Sequence, residues 1–282
     1  MNSKRVENYL GKEGILSTRL EGFEFRPQQV DMAAAVAEAF GNAKHLIVEA
    51  GTGTGKSLAY LIPAILWAVE NNKKVVISTY TKTLQHQILN HDIPFLRDKL
   101  GIAFRYALCM GNENYLSLRR LKRSAQAGLF TKSDEENQWD GIFNWAEETE
   151  TGFRSDLPFE VLPQVWEEVG RQKDLCLGKS CETHSSCFYF KARKKWFGAH
   201  LLIVNHHLFF ADFVLKDEEL SEILPKANTI IFDEAHQVPL VASFFLGQFI
   251  SSSQISNLIQ DCQQGLVKYP NTIQVLDTLS KD

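Results

Sequence analysis

At 282 residues, with 44% apolar and 23% charged side chains and a formal net charge of -4, the chain has the make-up of an ordinary globular protein with room for one large or two small domains. The acidic balance argues against a bulk polyanion binder without excluding one, and any nucleic-acid contact must come from local basic patches. No apolar run nears the roughly 20 residues that span a bilayer, no early stretch has a signal-peptide pattern, and an odd number of cysteines argues against a disulfide framework, so a cytoplasmic protein is expected.

Residues 1 to 22 are polar and glycine-bearing and read as a helix and turn. Phe25-Arg26-Pro27-Gln28-Gln29 then opens a helix with Met32, Ala33, Val36, Ala37 and Phe40 at helical spacing. Pro27 suits its first turn. The two-sided amide of Gln29 can pair with an adenine edge, although a solvated helix residue is the plainer reading. Next, the apolar run His45-Leu46-Ile47-Val48 is read as a strand, followed by EAGTGTGKS at Glu49 to Ser57 and a helical pattern from Leu58 to Val69. From Ala50 the spacing is that of a phosphate-binding loop. Ala50, Gly51, Thr52, Gly53, Thr54 and Gly55 turn backbone N–H groups inward around a nucleoside triphosphate, and the following helix points its positive end at the phosphates. Lys56 reaches the β- and γ-phosphates and Ser57 sits on Mg²⁺.

Lys74 to Thr79 reads as a buried strand and Thr81 to Asn90 as a capped helix. Alternation of strand and helix implies a parallel sheet. The hydroxyl-rich turn Ser78 to Thr83, with Lys82, suits the phosphates of a single nucleic-acid strand, although helix capping explains Thr81 and Thr83 equally well.

Between about 105 and 195 the rhythm breaks. A basic helix, Leu118 to Arg123, precedes an acidic, Trp-containing stretch from Asp134 to Glu150. Cys176, Cys181 and Cys187 follow, beside Arg193, Lys194 and Lys195. Three thiols this close together suit an iron–sulphur cluster or zinc. Strands return at Leu201 to His207 and at Thr229 to Phe232, the latter running into Asp233-Glu234-Ala235-His236. An apolar strand ending in two carboxylates, in a chain with a phosphate loop, places Asp233 on Mg²⁺ and Glu234 on the attacking water. His206 and His207, as neighbours on a strand, would point to opposite faces and share no metal.

Taken together, these segments resemble the XPD/DinG family of iron–sulphur DNA helicases, most closely its bacterial DinG/YoaA-like branch. The resemblance rests on Arg26-x-x-Gln29, EAGTGTGKS at 49 to 57, STYTKTLQ at 78 to 85, NYL at 114 to 116, the three cysteines, VNHHLFFAD at 204 to 212 and DEAH at 233 to 236. It implies an α/β, RecA-like three-layer domain with a parallel sheet, built from 1–104 and 196–240, interrupted by a mainly helical cysteine-bearing insertion at 105–195 and followed by the start of an arch-like helical domain at 241–282. The implied activity is ATP-dependent unwinding of forked DNA in repair or replication, with 5′ to 3′ polarity. Arg26 and Gln29 would contact the nucleotide, and Lys56, Asp233, Glu234 and His236 would carry hydrolysis. The resemblance also implies a 4Fe–4S cluster on Cys176, Cys181 and Cys187. The family's first cluster cysteine is here Ser117, so the fourth ligand is the Ser117 oxygen, water or Cys109 and the cluster is more labile than one with four thiolates, or it is lost. Thr79, Lys82, Arg119, Arg120, Lys194 and Lys195 are candidates for DNA phosphates. With no second motor domain in view, the chain reads as the N-terminal ATP-binding portion of a helicase. The alternative is a module that binds ATP and single-stranded DNA without unwinding.

Overall fold

The computed structural model describes residues 3–51, 53–127, 133–217, 222–248, 251–252 and 255–256. It divides into two units, residues 1–241 and 242–282. The expected tail domain over 241–282 lies for the most part outside the described residues.

In chain order the elements are α1 (Ser3–Leu10), α2 (Ile15–Arg19), α3 (Pro27–Asn42), α4 (Lys56–Asn71), β1 (Val75–Thr79), α5 (Lys82–Gln87), a π turn at Ile88–Asp92 and α6 (Ile93–Leu100). Then come β2 (Tyr106–Leu108), α7 (Leu118–Ala127), α8 (Ser133–Glu148), α9 (Pro163–Val169), α10 (Phe188–Gly198), β3 (Leu201–Asn205), α11 (His206–Asp217), β4 (Thr229–Phe232) and α12 (Val238–Leu246). Local chemistry sets several of these boundaries. Pro27 stands in the first turn of α3, where its missing N–H costs nothing, and the Thr81 hydroxyl accepts from Leu84 N at 3.2 Å to start α5.

The four strands form one parallel sheet in the order β2-β3-β1-β4. Because strand side chains alternate between faces, Val75, Ile77, Leu201 and Ile203 enter one core with α1, α3, α4 and α6. Val76, Leu202 and Val204 enter a second, with Val165, Trp166, Tyr189, Trp196 and Leu208. Helices therefore cover both faces, giving the three-layer α/β arrangement expected from the sequence, and both strand faces are apolar, as a parallel sheet requires. The cysteine-bearing region packs directly on one face. Trp196, fully buried, donates from Nε1 to the Leu108 carbonyl at 3.0 Å and so ties α10 to β2.

Two expectations are corrected. The run His45 to Val48 is not a strand: it joins no ladder among the described residues, and Ile47 is 97% exposed. Both edges of β1 are taken by β3 and β4, and the run does not pair with the outer edge that β4 leaves open, so its backbone has no ladder to join. His206 and His207 likewise do not end a strand but open α11, because the Asn205 side chain accepts from Leu208 N at 2.7 Å and caps the helix there. Among the described residues, no helix is long and apolar enough to cross a membrane.

Candidate functional site

In a parallel sheet flanked by helices, ligands bind at the carboxyl ends of the strands. Here those ends carry Thr79, the last residue of β1, and Tyr80 after it, His206 after β3, and Asp233 and Glu234 after β4.

The glycine-rich loop leads into α4. Gly53 and Gly55 have φ of +81° and +75°, the left-handed region that favours glycine. At Gly55 there is a second constraint: a Cβ would lie 2.0 Å from Gln29 Nε2. The loop is braced by the two residues expected to touch nucleotide. Arg26 Nη1 donates to the Gly53 carbonyl at 2.6 Å, and Gln29 Nε2 donates to the Gly55 carbonyl at 3.0 Å. Arg26 also pairs with Glu24 at 2.6 Å. The Thr54 hydroxyl closes the loop on the Gly51 carbonyl at 2.9 Å. Ala50 and Gly51 lead into the loop, while Thr52 lies outside the described residues.

Lys56 begins α4, and its Nζ lies 3.6 Å from Glu234 Oε1, so the loop and the strand-end carboxylates, distant in sequence, meet. Asp233 N donates to the Ser78 carbonyl at 2.8 Å, which fixes the strand end against β1. Glu234 then takes φ +54°, ψ +45°, an uncommon conformation for a non-glycine residue and one found at functional turns. His236 Nδ1 lies 3.4 Å from Glu234 Oε2.

Two further groups escaped the sequence reading. The Tyr60 hydroxyl donates to Asp233 Oδ2 at 3.1 Å; its position three residues after Ser57 on one helix was the available signal. Asp92, on the π turn, is brought near Ser57 and Asp233 with its Oδ2 buried and without a hydrogen-bond partner, and nothing local in the sequence announces that. Burial raises the carboxyl pKa of both Asp92 and Asp233 above the ordinary value. Since the folded pKa of Asp233 exceeds the unfolded one, stability is greatest below the unfolded pKa and falls as pH rises through the folded pKa. Asp233→Asn is therefore expected to raise the melting temperature at neutral pH in EDTA. Calorimetry that finds an unchanged or lower melting temperature would contradict this.

The second cluster lies in the cysteine-bearing region. Ser117, Cys176, Cys181, Cys187 and, unforeseen, His184 line one cavity of about 30 Å³. Gly178 N donates to Cys176 Sγ at 3.4 Å, and Cys181 Sγ is 3.3 Å from Thr183 Oγ1. Among the described residues, no three His, Cys, Asp or Glu side chains stand at metal-binding spacing. Cys109 is elsewhere: it is buried in the core beside β3, with its N–H on the Ile203 carbonyl, and burial pushes its thiol pKa up. Arg119 and Arg120 point their guanidinium groups at backbone carbonyls of Leu175, Glu167 and Glu168. Lys194 and Lys195 are exposed on α10.

A DEAD/DEAH box helicase family model matches residues 27–135. An ATP-dependent DNA helicase YoaA of Haemophilus influenzae is 38% identical over 264 residues, covering 91% of this chain and 40% of that protein. YoaA of Escherichia coli is 40% identical over 250 residues, covering 88% and 39%. An ATP-dependent helicase DinG of Mycobacterium tuberculosis is 38% identical over 245 residues, covering 79% and 36%. The chain thus spans about two fifths of the length of the curated relatives it matches.

Proposed function

We propose that this chain, which carries a DEAD/DEAH box helicase domain and is homologous to the YoaA and DinG helicases, is the ATP-binding portion of an ATP-dependent DNA helicase of repair or replication, working in the cytoplasm with 5′ to 3′ polarity. The observation that carries it is the 3.6 Å approach of Lys56 Nζ to Glu234 Oε1 across the mouth of the glycine loop. A triphosphate entering there takes the loop N–H groups and the α4 N-terminus on its oxygens. It also takes Lys56 from its carboxylate partner, which frees Glu234 to orient and deprotonate the attacking water. Ser57 and Asp233 would hold a Mg²⁺, which would neutralise phosphate charge, with Tyr60 orienting Asp233. His236 fixes the second oxygen of Glu234. Arg26 and Gln29 fix the loop and, on closure, face the base.

In this reading residues 1–104 and 196–240 form the first motor domain and 105–195 its insertion, which lends strand β2 to the motor sheet, with an arch-like domain beginning at 241. A second RecA-like domain, in this or another chain, supplies an arginine worth about 10³ to 10⁵ in rate. Without it the segment binds ATP and single-stranded DNA and turns over slowly. Single-stranded or forked DNA runs across Thr79 to Thr83. Fluorescence anisotropy of a labelled single strand tests this: tighter binding with Mg²⁺ and a non-hydrolysable ATP analogue supports it, and nucleotide-independent affinity counts against it.

Cys176, Cys181 and Cys187 would hold a 4Fe–4S cluster, with Ser117 favoured over Cys109 as the fourth ligand because Ser117 lines the same cavity and Cys109 does not. The donor set suits a soft metal centre. Anaerobically purified protein is expected to contain iron and sulphide, and Cys181→Ser to lose both; stoichiometric zinc in place of iron would overturn the cluster.

A further inference from the structure

His206 is fully buried, and its Nδ1 stands 2.7 Å from the hydroxyl of Ser78, itself fully buried on β1. The same Ser78 receives the Asp233 N–H on its carbonyl at 2.8 Å. One residue thus anchors both the imidazole and the strand-end carboxylate. The other ring nitrogen, Nε2, is buried without a hydrogen-bond partner, while the backbone of Asp233 and Glu234 faces the ring. The Phe232 and Tyr80 rings, at 5.8 and 6.2 Å, close round it. A buried ring nitrogen is rarely left unpaired, and the adjacent turn is the one that holds Glu234 at φ +54°.

We propose that His206 is a positioning residue for the Asp233–Glu234 turn: with Nδ1 taken by the Ser78 hydroxyl, Nε2–H donates to a backbone carbonyl of that turn when Mg·ATP closes the site, and holds both carboxylates in register with the phosphates. This rests on the nucleotide site proposed above. It makes His206 the link between β1, β3 and the end of β4, since Ser78, His206 and Asp233 lie on those three neighbouring strands or at their ends. The sheet would then align the carboxylates through one imidazole.

The test measures the affinity of the 282-residue chain for a fluorescent ATP analogue, with Mg²⁺ and with EDTA, in wild type, His206→Asn, His206→Gln and Lys56→Ala. His206→Asn keeps a polar atom for Ser78 but has none where Nε2 stands, and is expected to lose the Mg²⁺-dependent tightening by about 10-fold, the scale of one buried hydrogen bond. His206→Gln reaches the Nε2 position with an N–H and is expected to restore most of it. Both must melt cooperatively, so that a packing defect is seen as such. Retention of the tightening in His206→Asn overturns the proposal, and so does equal loss in both variants. If wild type shows no binding that Lys56→Ala removes, the nucleotide reading itself fails, and this inference with it.

Discussion

Lys56→Ala is expected to lower ATP turnover by about 10² to 10³-fold, the scale of removing one preorganised charge from a phosphoryl-transfer site. The expectation follows from where the ammonium group sits. The backbone of Lys56 is fixed as the first residue of α4 by the left-handed Gly55 before it, so its side chain leaves the loop in one direction and meets Glu234. No other lysine belongs to that loop. The side chain is 33% exposed and its ion pair equally so, which makes the pair worth little to the fold. Stability should therefore change hardly at all while turnover collapses. A variant that loses turnover and melting temperature together would mean that Lys56 is structural. One that keeps turnover would move the chemistry elsewhere.

The largest expected effect on stability is that of Trp196→Ala, about 3 to 5 kcal/mol from the cavity and lost burial. Trp196 is fully buried, meets Tyr189 edge-on at 5.8 Å, and gives its indole N–H to the Leu108 carbonyl at the end of β2. Truncation empties the second core and strands that carbonyl. In a domain of this size the loss should appear as a fall in melting temperature of roughly 10 °C. Trp196→Phe, which keeps a ring but not the N–H, should cost about 1 kcal/mol if the hydrogen bond alone is lost. Urea denaturation separates the two. Equal, small losses in both variants would show that α10 is not anchored to the sheet through this residue.

The site was legible in sequence where its chemistry is contiguous. A phosphate loop needs its glycines, lysine and hydroxyl in one turn, so Gly53, Gly55, Lys56 and Ser57 declare themselves, as do two carboxylates at the end of an apolar strand. The short continuous apolar runs of β1, β3 and β4 were legible for the same reason, since each carries its own signal. What depends on a distant partner was not. His45 to Val48 has the composition of a strand, but a strand exists only where it pairs, and this run joins none of the described strands. His206 and His207 look like the end of a strand until the Asn205 cap turns them into the start of α11. Asp92 is brought near Ser57 only through a π turn that no local propensity announces. In the cysteine-bearing region, spacing drew attention to the three thiols, but only burial separates Cys109, locked in the core, from Ser117 and His184 at the cavity. A run of positive charge suggested phosphate contacts at Arg119 and Arg120, yet the fold turns both onto backbone carbonyls.

The most direct measurement is a calorimetric titration of Mg·ATP into the wild-type chain, repeated with Lys56→Ala and in EDTA. Saturable binding of one nucleotide per chain, weakened by EDTA and abolished in Lys56→Ala, is the predicted result. Absence of saturable binding, or binding that survives Lys56→Ala, would contradict a site built from the glycine loop and the Asp233–Glu234 turn.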